Sequence, residues 1–259
     1  MQGGVAPFIV ALAVALLLHS VRLGGLAVVA AFCASAYLVA GFTFTPLTAT
    51  RKIVLIGLAS PIVGMLADFA FKPTRTGSIL IAAAAAGGAL WAFWPVLSQK
   101  PTADALLHAG VAAVVVAFMV WFGQTFLAQH PVRAGSAGLA LGLGVGVASF
   151  FAATLTYGLY GVALGAGSGA FLLVQMIRGR PVFGGVTFTL PAMLIGGLIG
   201  AGAMALAKLP WYAVAVLGFV PVAARLPLPQ KAPVWLQATL LSLYGFIVAG
   251  LAVALAWRS

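Results

Sequence analysis

Only two of the 259 residues are acidic, so any carboxylate chemistry in this chain must run through Asp68 or Asp104. Asp68 stands four residues before Lys72 and seven before Arg75. The first spacing suits a local i,i+4 ion pair at a helix end. In an apolar chain it also suits a carboxylate that faces a water-filled path and carries a proton or a cation. Asp104 follows Pro101-Thr102, where a carboxylate in the first helical turn complements the helix dipole. His108 lies one turn further on the same face, and the two could relay protons. Gln124 and Gln175 sit within apolar runs. An amide facing lipid is costly, so both should face the interior, either bonding between helices or lining a polar path.

Other chemistry is excluded. The three histidines are scattered as His19, His108 and His130, with no H-x-x-x-H, so neither a zinc nor a haem ligand set is expected. Cys33 is the lone cysteine, which removes disulfides and cysteine-based metal sites. There is no G-x-S-x-G, no H-E-x-x-H and no pair of facing aspartates. No catalytic, cofactor-binding or metal-binding residue is expected, and the chain reads as a non-enzyme.

The elements that must position these residues are set by composition. Hydrophobic residues make up 64% of the chain and charged residues 6%, with a mean hydropathy of +1.19. A soluble domain is nearer a quarter charged. The solvent that fits is a bilayer, and no long polar stretch marks off a soluble domain. The net charge of +11 comes from basic residues scattered singly or in pairs between apolar runs. That pattern anchors loops near headgroups and forms no face for nucleic acid.

Apolar runs between charged or Pro/Gly breaks predict ten helices at about 5–20, 23–42, 53–71, 78–97, 104–128, 135–155, 158–177, 185–207, 209–224 and 233–257. The first and ninth are short for a full span. The break between the sixth and seventh rests on residues 156–161 alone, so eight to ten helices fit. Most of the six tryptophans fall near helix ends, as interfacial aromatics should. The first run lacks a basic start and a small-x-small end, and reads as a membrane helix rather than a cleaved leader.

The expected fold is therefore an all-α polytopic membrane bundle forming a single transmembrane domain over 1–259. Four short echoes recur in order and divide it into 1–130 and 131–259. They are S-V-R-L-G-G with P-V-R-A-G-S, G-F-T-F-T-P with G-V-T-F-T-L-P, Ile56-Gly57 with Ile195-Gly196, and L-S-Q-K-P with L-P-Q-K-A-P. Five helices per unit is odd, so such a repeat would be inverted. Lys208 nearly matches Asp68 in it, and the two should lie at opposite faces without pairing. Gly41–Pro46 should lie on the face of the chain ends and Gly185–Pro191 on the other. Their threonines, Thr43, Thr45, Thr187 and Thr189, are expected to cap helix ends.

Eight Lys/Arg fall in the loops after odd-numbered helices and five elsewhere. This weak bias places both chain ends outside the cytoplasm, in a bacterial inner membrane. Gly138, Gly142 and Gly146, and again Gly161, Gly165 and Gly169, repeat every four residues. Such flat stripes, continued by Gly196 and Gly200, let the sixth to eighth helices pack closely. Pro61, Pro95 and Pro221 should interrupt their helices. The expected function is a small multi-pass permease or exporter. The alternative is a non-catalytic membrane subunit or scaffold, with a membrane-protein partner or a second copy alongside the lipid bilayer.

Overall fold

The computed structural model describes residues 4–42, 44–70, 74–229 and 232–258, and within them it is all-α. Ten helices follow in order: α1 (Val5–Leu18), α2 (Gly24–Ala40), α3 (Ala49–Ala70), α4 (Arg75–Leu97), α5 (Thr102–Leu127), α6 (Pro131–Phe151), α7 (Leu155–Arg178), α8 (Gly185–Leu206), α9 (Trp211–Ala223) and α10 (Val234–Trp257). Seven of them, α3 to α8 and α10, are long and apolar enough to cross a bilayer. The chain is a multi-pass membrane protein by that measure. The other three are shorter. The 14 residues of α1 reach only about 21 Å against a hydrocarbon core of about 30 Å.

Several boundaries differ from the expectation; α6, for one, starts at Pro131 and not near residue 135. Residues 156–161 lie inside α7, and the break falls at Ala152–Thr154, where Ala153 takes a positive φ of 61°. No charge marks it, so periodicity alone misplaced it. The helix α3 starts at Ala49 and not near residue 53. Thr48 caps it by accepting from the Arg51 amide, which draws Arg51 and Lys52 into the first turn.

Helix ends meet in two sets. At one face Thr50 bonds Tyr157, the Lys208 amide reaches the Ala152 carbonyl, and Phe151 lies against Trp257. At the other, His19 bonds Arg178, Arg133 donates to the Ala224 carbonyl, and Arg225 donates to Phe126. The first set contains the C-terminal end of α10 and is called the termini face; the second is the opposite face. The seven long helices run between them. Asp68 lies at the opposite face and Lys208 at the termini face, apart as expected.

The core is organised around α8. Its sequence is apolar on every side, and a helix of that kind belongs inside a bundle. Its membrane window is 94% buried, against 33% for α3, α5 and α10. Neighbours approach it on several sides through glycines. A Cβ on Gly196 would come 2.6 Å from Leu141 of α6, and one on Gly197 would come 3.1 Å from Val116 of α5. The α6–α7 contact is tighter still. A Cβ on Gly142 would collide with the Gly165 backbone, and one on Gly161 would lie 2.5 Å from Gly146. The expected stripes are thus faces of direct backbone approach. Gly138 meets Ser168 in the same seam, whereas Gly169 has only Leu139 nearby, at 3.3 Å.

The prolines are accommodated by side chains. Pro95 has no N–H for the Trp91 carbonyl one turn back. The Lys52 ammonium donates to that carbonyl at 3.0 Å and lies 4.6 Å from the Trp91 ring centroid. Pro61 likewise frees the Gly57 carbonyl, and the Ser60 hydroxyl donates to it at 2.8 Å. Near Pro221, α9 breaks into two short stretches at Gly218–Phe219.

The two T-F-T segments differ in conformation. Gly185–Pro191 forms the first turns of α8, whereas Phe42, Phe44, Thr45 and Pro46 lie outside any helix. Thr43 lies outside the described residues. This echo gives no support to an internal repeat.

Candidate functional site

The site is built at the opposite-face end of α8. Gly64 of α3 lies against the first turn of α8, where a Cβ would come 2.8 Å from the Thr187 Cα. That closeness lets Asp68, one turn further along α3, reach across. Its Oδ1 accepts from the Val186 amide at 2.9 Å. Its Oδ2 accepts from the Thr187 amide and from the Thr187 hydroxyl, both at 2.7 Å. Asp68 therefore serves α8 as an N-cap supplied from another helix. It satisfies amides that would otherwise be orphaned and places a negative charge at the positive end of the dipole. Gly185 has a positive φ of 57°, and a Cβ there would collide with the carboxylate. Glycine is the residue this position requires.

This corrects the expected role of the threonines. The Thr187 hydroxyl donates to Asp68, and the Thr189 hydroxyl donates to the Gly185 carbonyl at 3.0 Å. Neither caps the helix. The anticipated partner of Asp68, Lys72, lies outside the described residues.

The segment of α3 bearing Asp68, Leu66–Ala70, is a π-helical turn, and so is Gly123–Leu127 at the end of α5. Such turns widen a helix locally and are frequent at functional sites. Here the two flank one cavity of about 580 Å³. Val63, Leu66 and Ala67 of α3 form one wall, and Leu80 and Ile81 of α4 another. Gln124 and Ala128 contribute from the α5 end and Val186 from α8. Polar groups are few: Thr74, Ser78, Gln124 and Gln129. Among the described lining residues none is charged.

The sequence candidates separate at this point. Gln124 lines the cavity and is 9% exposed, and its buried amide nitrogen has no hydrogen-bond partner. Gln175 is fully buried elsewhere. Its amide donates to the Pro131 and Phe171 carbonyls at 3.4 Å and accepts from the Val182 amide at 3.5 Å. It stitches α7 to its neighbours. Asp68 borders the cavity through Val186 but spends its oxygens on α8. Asp104 and His108 lie in the first turns of α5 at the termini face. There the His108 Nδ1 meets the Asp104 main-chain carbonyl at 2.6 Å, not its carboxylate. The cavity does not bring this pair to Gln124. Thr74, Ser78 and Gln129 were not singled out from sequence; they lie at helix ends that only the fold brings together.

At the same face, the His130 pKa is held below its ordinary value of 6.5 by partial burial of the ring and by the Arg225 and Arg133 guanidiniums. No protein-family model matches the chain, and no curated protein matches it.

Proposed function

We propose that this chain is a small multi-pass permease or exporter working by alternating access, without enzymatic chemistry or a bound cofactor. The observation that supports it is the cavity at the capped end of α8. Helices from both halves of the chain bound it, its walls are mostly apolar, and one of its few polar groups is buried without a partner. Sites for small molecules have this composition and fall in this size range, about 300–1,000 Å³. The proposal does not need an inverted repeat. It places the opposite face in the cytoplasm, because the larger share of Lys/Arg lies there.

One observation favours the second reading, a non-catalytic subunit of a larger membrane complex. The centre of the bundle is occupied by α8, and no cavity among those found crosses it. Two experiments separate the readings. Purification without crosslinking should yield the chain alone or as a homo-oligomer; a stoichiometric second protein would favour the subunit. In proteoliposomes, a single cysteine at Ser78→Cys, in a Cys33→Ala background, should react with an impermeant thiol reagent added at the opposite face. It should also react, more slowly, with reagent at the termini face. Access from one face alone would overturn alternating access.

A further inference from the structure

The geometry points to an uncharged amphiphile as the ligand of this cavity: an apolar body carrying one hydroxyl. This rests on the permease reading for its purpose, and on the cavity alone for its chemistry.

The walls set the body of the ligand. Val63, Leu66 and Leu80 line the cavity and are at the same time exposed on the outer surface of α3 and α4. A residue that does both marks an opening, and here it lies between two helices whose outer faces are apolar. Phe69 and Ile79 continue those faces. The apolar side of the opening admits an apolar body.

The polar groups set its head. An ion would find no described countercharge in the lining, and desolvating it would be costly. The groups present can both donate and accept. The Gln124 amide has a donor nitrogen that no protein acceptor meets and an acceptor oxygen. The Thr74 hydroxyl oxygen already accepts from the Gly77 amide, which leaves its O–H free to donate. Donors and acceptors together beside an apolar volume are complementary to a hydroxyl, which can do both.

The test uses the full chain in lipid nanodiscs and a diazirine-bearing analogue of 1-decanol as a photoprobe. Saturable labelling is expected within residues 63–67, 74–81 and 124–129. It should be displaced by 1-decanol but not by decane, decylamine or decanoate at equal membrane concentration. Gln124→Leu should weaken the displacement by about 5–10-fold, the loss of one hydrogen bond. Ala67→Trp, which fills the cavity, should abolish saturable labelling while thermal unfolding stays cooperative. Equal displacement by decane, stronger displacement by either charged homologue, or an unchanged Gln124→Leu variant would overturn the inference. Saturable, Gln124-dependent labelling without termini-face access to Ser78→Cys upholds the ligand and overturns the permease. Two-sided access without saturable labelling does the reverse.

Discussion

Replacing Asp68 is the sharpest test of how the site is built. Asp68→Ala removes the acceptor for two first-turn amides and the Thr187 hydroxyl at once. Thr187 is fully buried, whereas Val186 borders the cavity, where water can reach. An unmet buried donor costs about 1–3 kcal/mol, and water rescues the one it can reach. The lost dipole complement adds about 0.5–1 kcal/mol. The expected destabilisation is about 3 kcal/mol. Asp68→Asn keeps one acceptor oxygen and should lose about half of that. The assay is reversible unfolding in mixed micelles followed by tryptophan fluorescence, with Asp104→Ala as the matched control. Asp104 is exposed in the first turn of α5, so its loss should cost no more than about 1 kcal/mol. Equal losses from Asp68→Ala and Asp104→Ala would refute the reasoning, because Asp68 would then be a surface charge and not the cap of the central helix.

Five further outcomes follow from the packing and the charges. Lys52→Met should cost about 1–3 kcal/mol by orphaning the Trp91 carbonyl, and adding Pro95→Ala should recover most of it by restoring a backbone donor; a double-mutant cycle without coupling would contradict this. Gly142→Leu should prevent stable accumulation of the protein, since its Cβ collides with the α7 backbone. Gly87→Ala, with open space around it, should stabilise by up to about 1 kcal/mol in the same unfolding assay. The unfolded chain protonates His130 more readily than the folded one does. Stability should therefore be at its plateau above pH 6.5 and decline as pH falls through 6.5 toward the lower folded value; His130→Gln should flatten that slope in a pH series of melts. A C-terminal alkaline phosphatase fusion should be active in a bacterial host and a green fluorescent protein fusion dark, reporting the termini face outside the cytoplasm.

The ten helices were legible because nearly every apolar run is bounded by a charge or a Pro/Gly pair. The α6–α7 break was misplaced because Ala152–Thr154 carries neither. The glycine stripes were legible because spacing by four defines one helix face, and that face meets a backbone. Asp68 was legible as unusual, since it is one of two acids, but its partners lie 118 and 119 residues away. Local spacing pointed instead to Lys72. Likewise, Gln124 and Gln175 look alike in sequence. Only packing gives one of them carbonyl partners and leaves the other at a cavity. The T-F-T echo shows the converse: like strings took unlike conformations, because one opens a helix that Asp68 caps and the other precedes one that Thr48 caps.

Alternating access itself is tested most directly by distances at both faces. Spin labels at Thr76 and Ile177 report the opposite face, and labels at Gln99 and Lys208 the termini face; all four positions are exposed. Measured by double electron–electron resonance in lipid nanodiscs, the account predicts two distances for each pair. The fraction of molecules open at one face should match the fraction closed at the other. A single narrow distance at both faces would contradict it and leave a static membrane subunit.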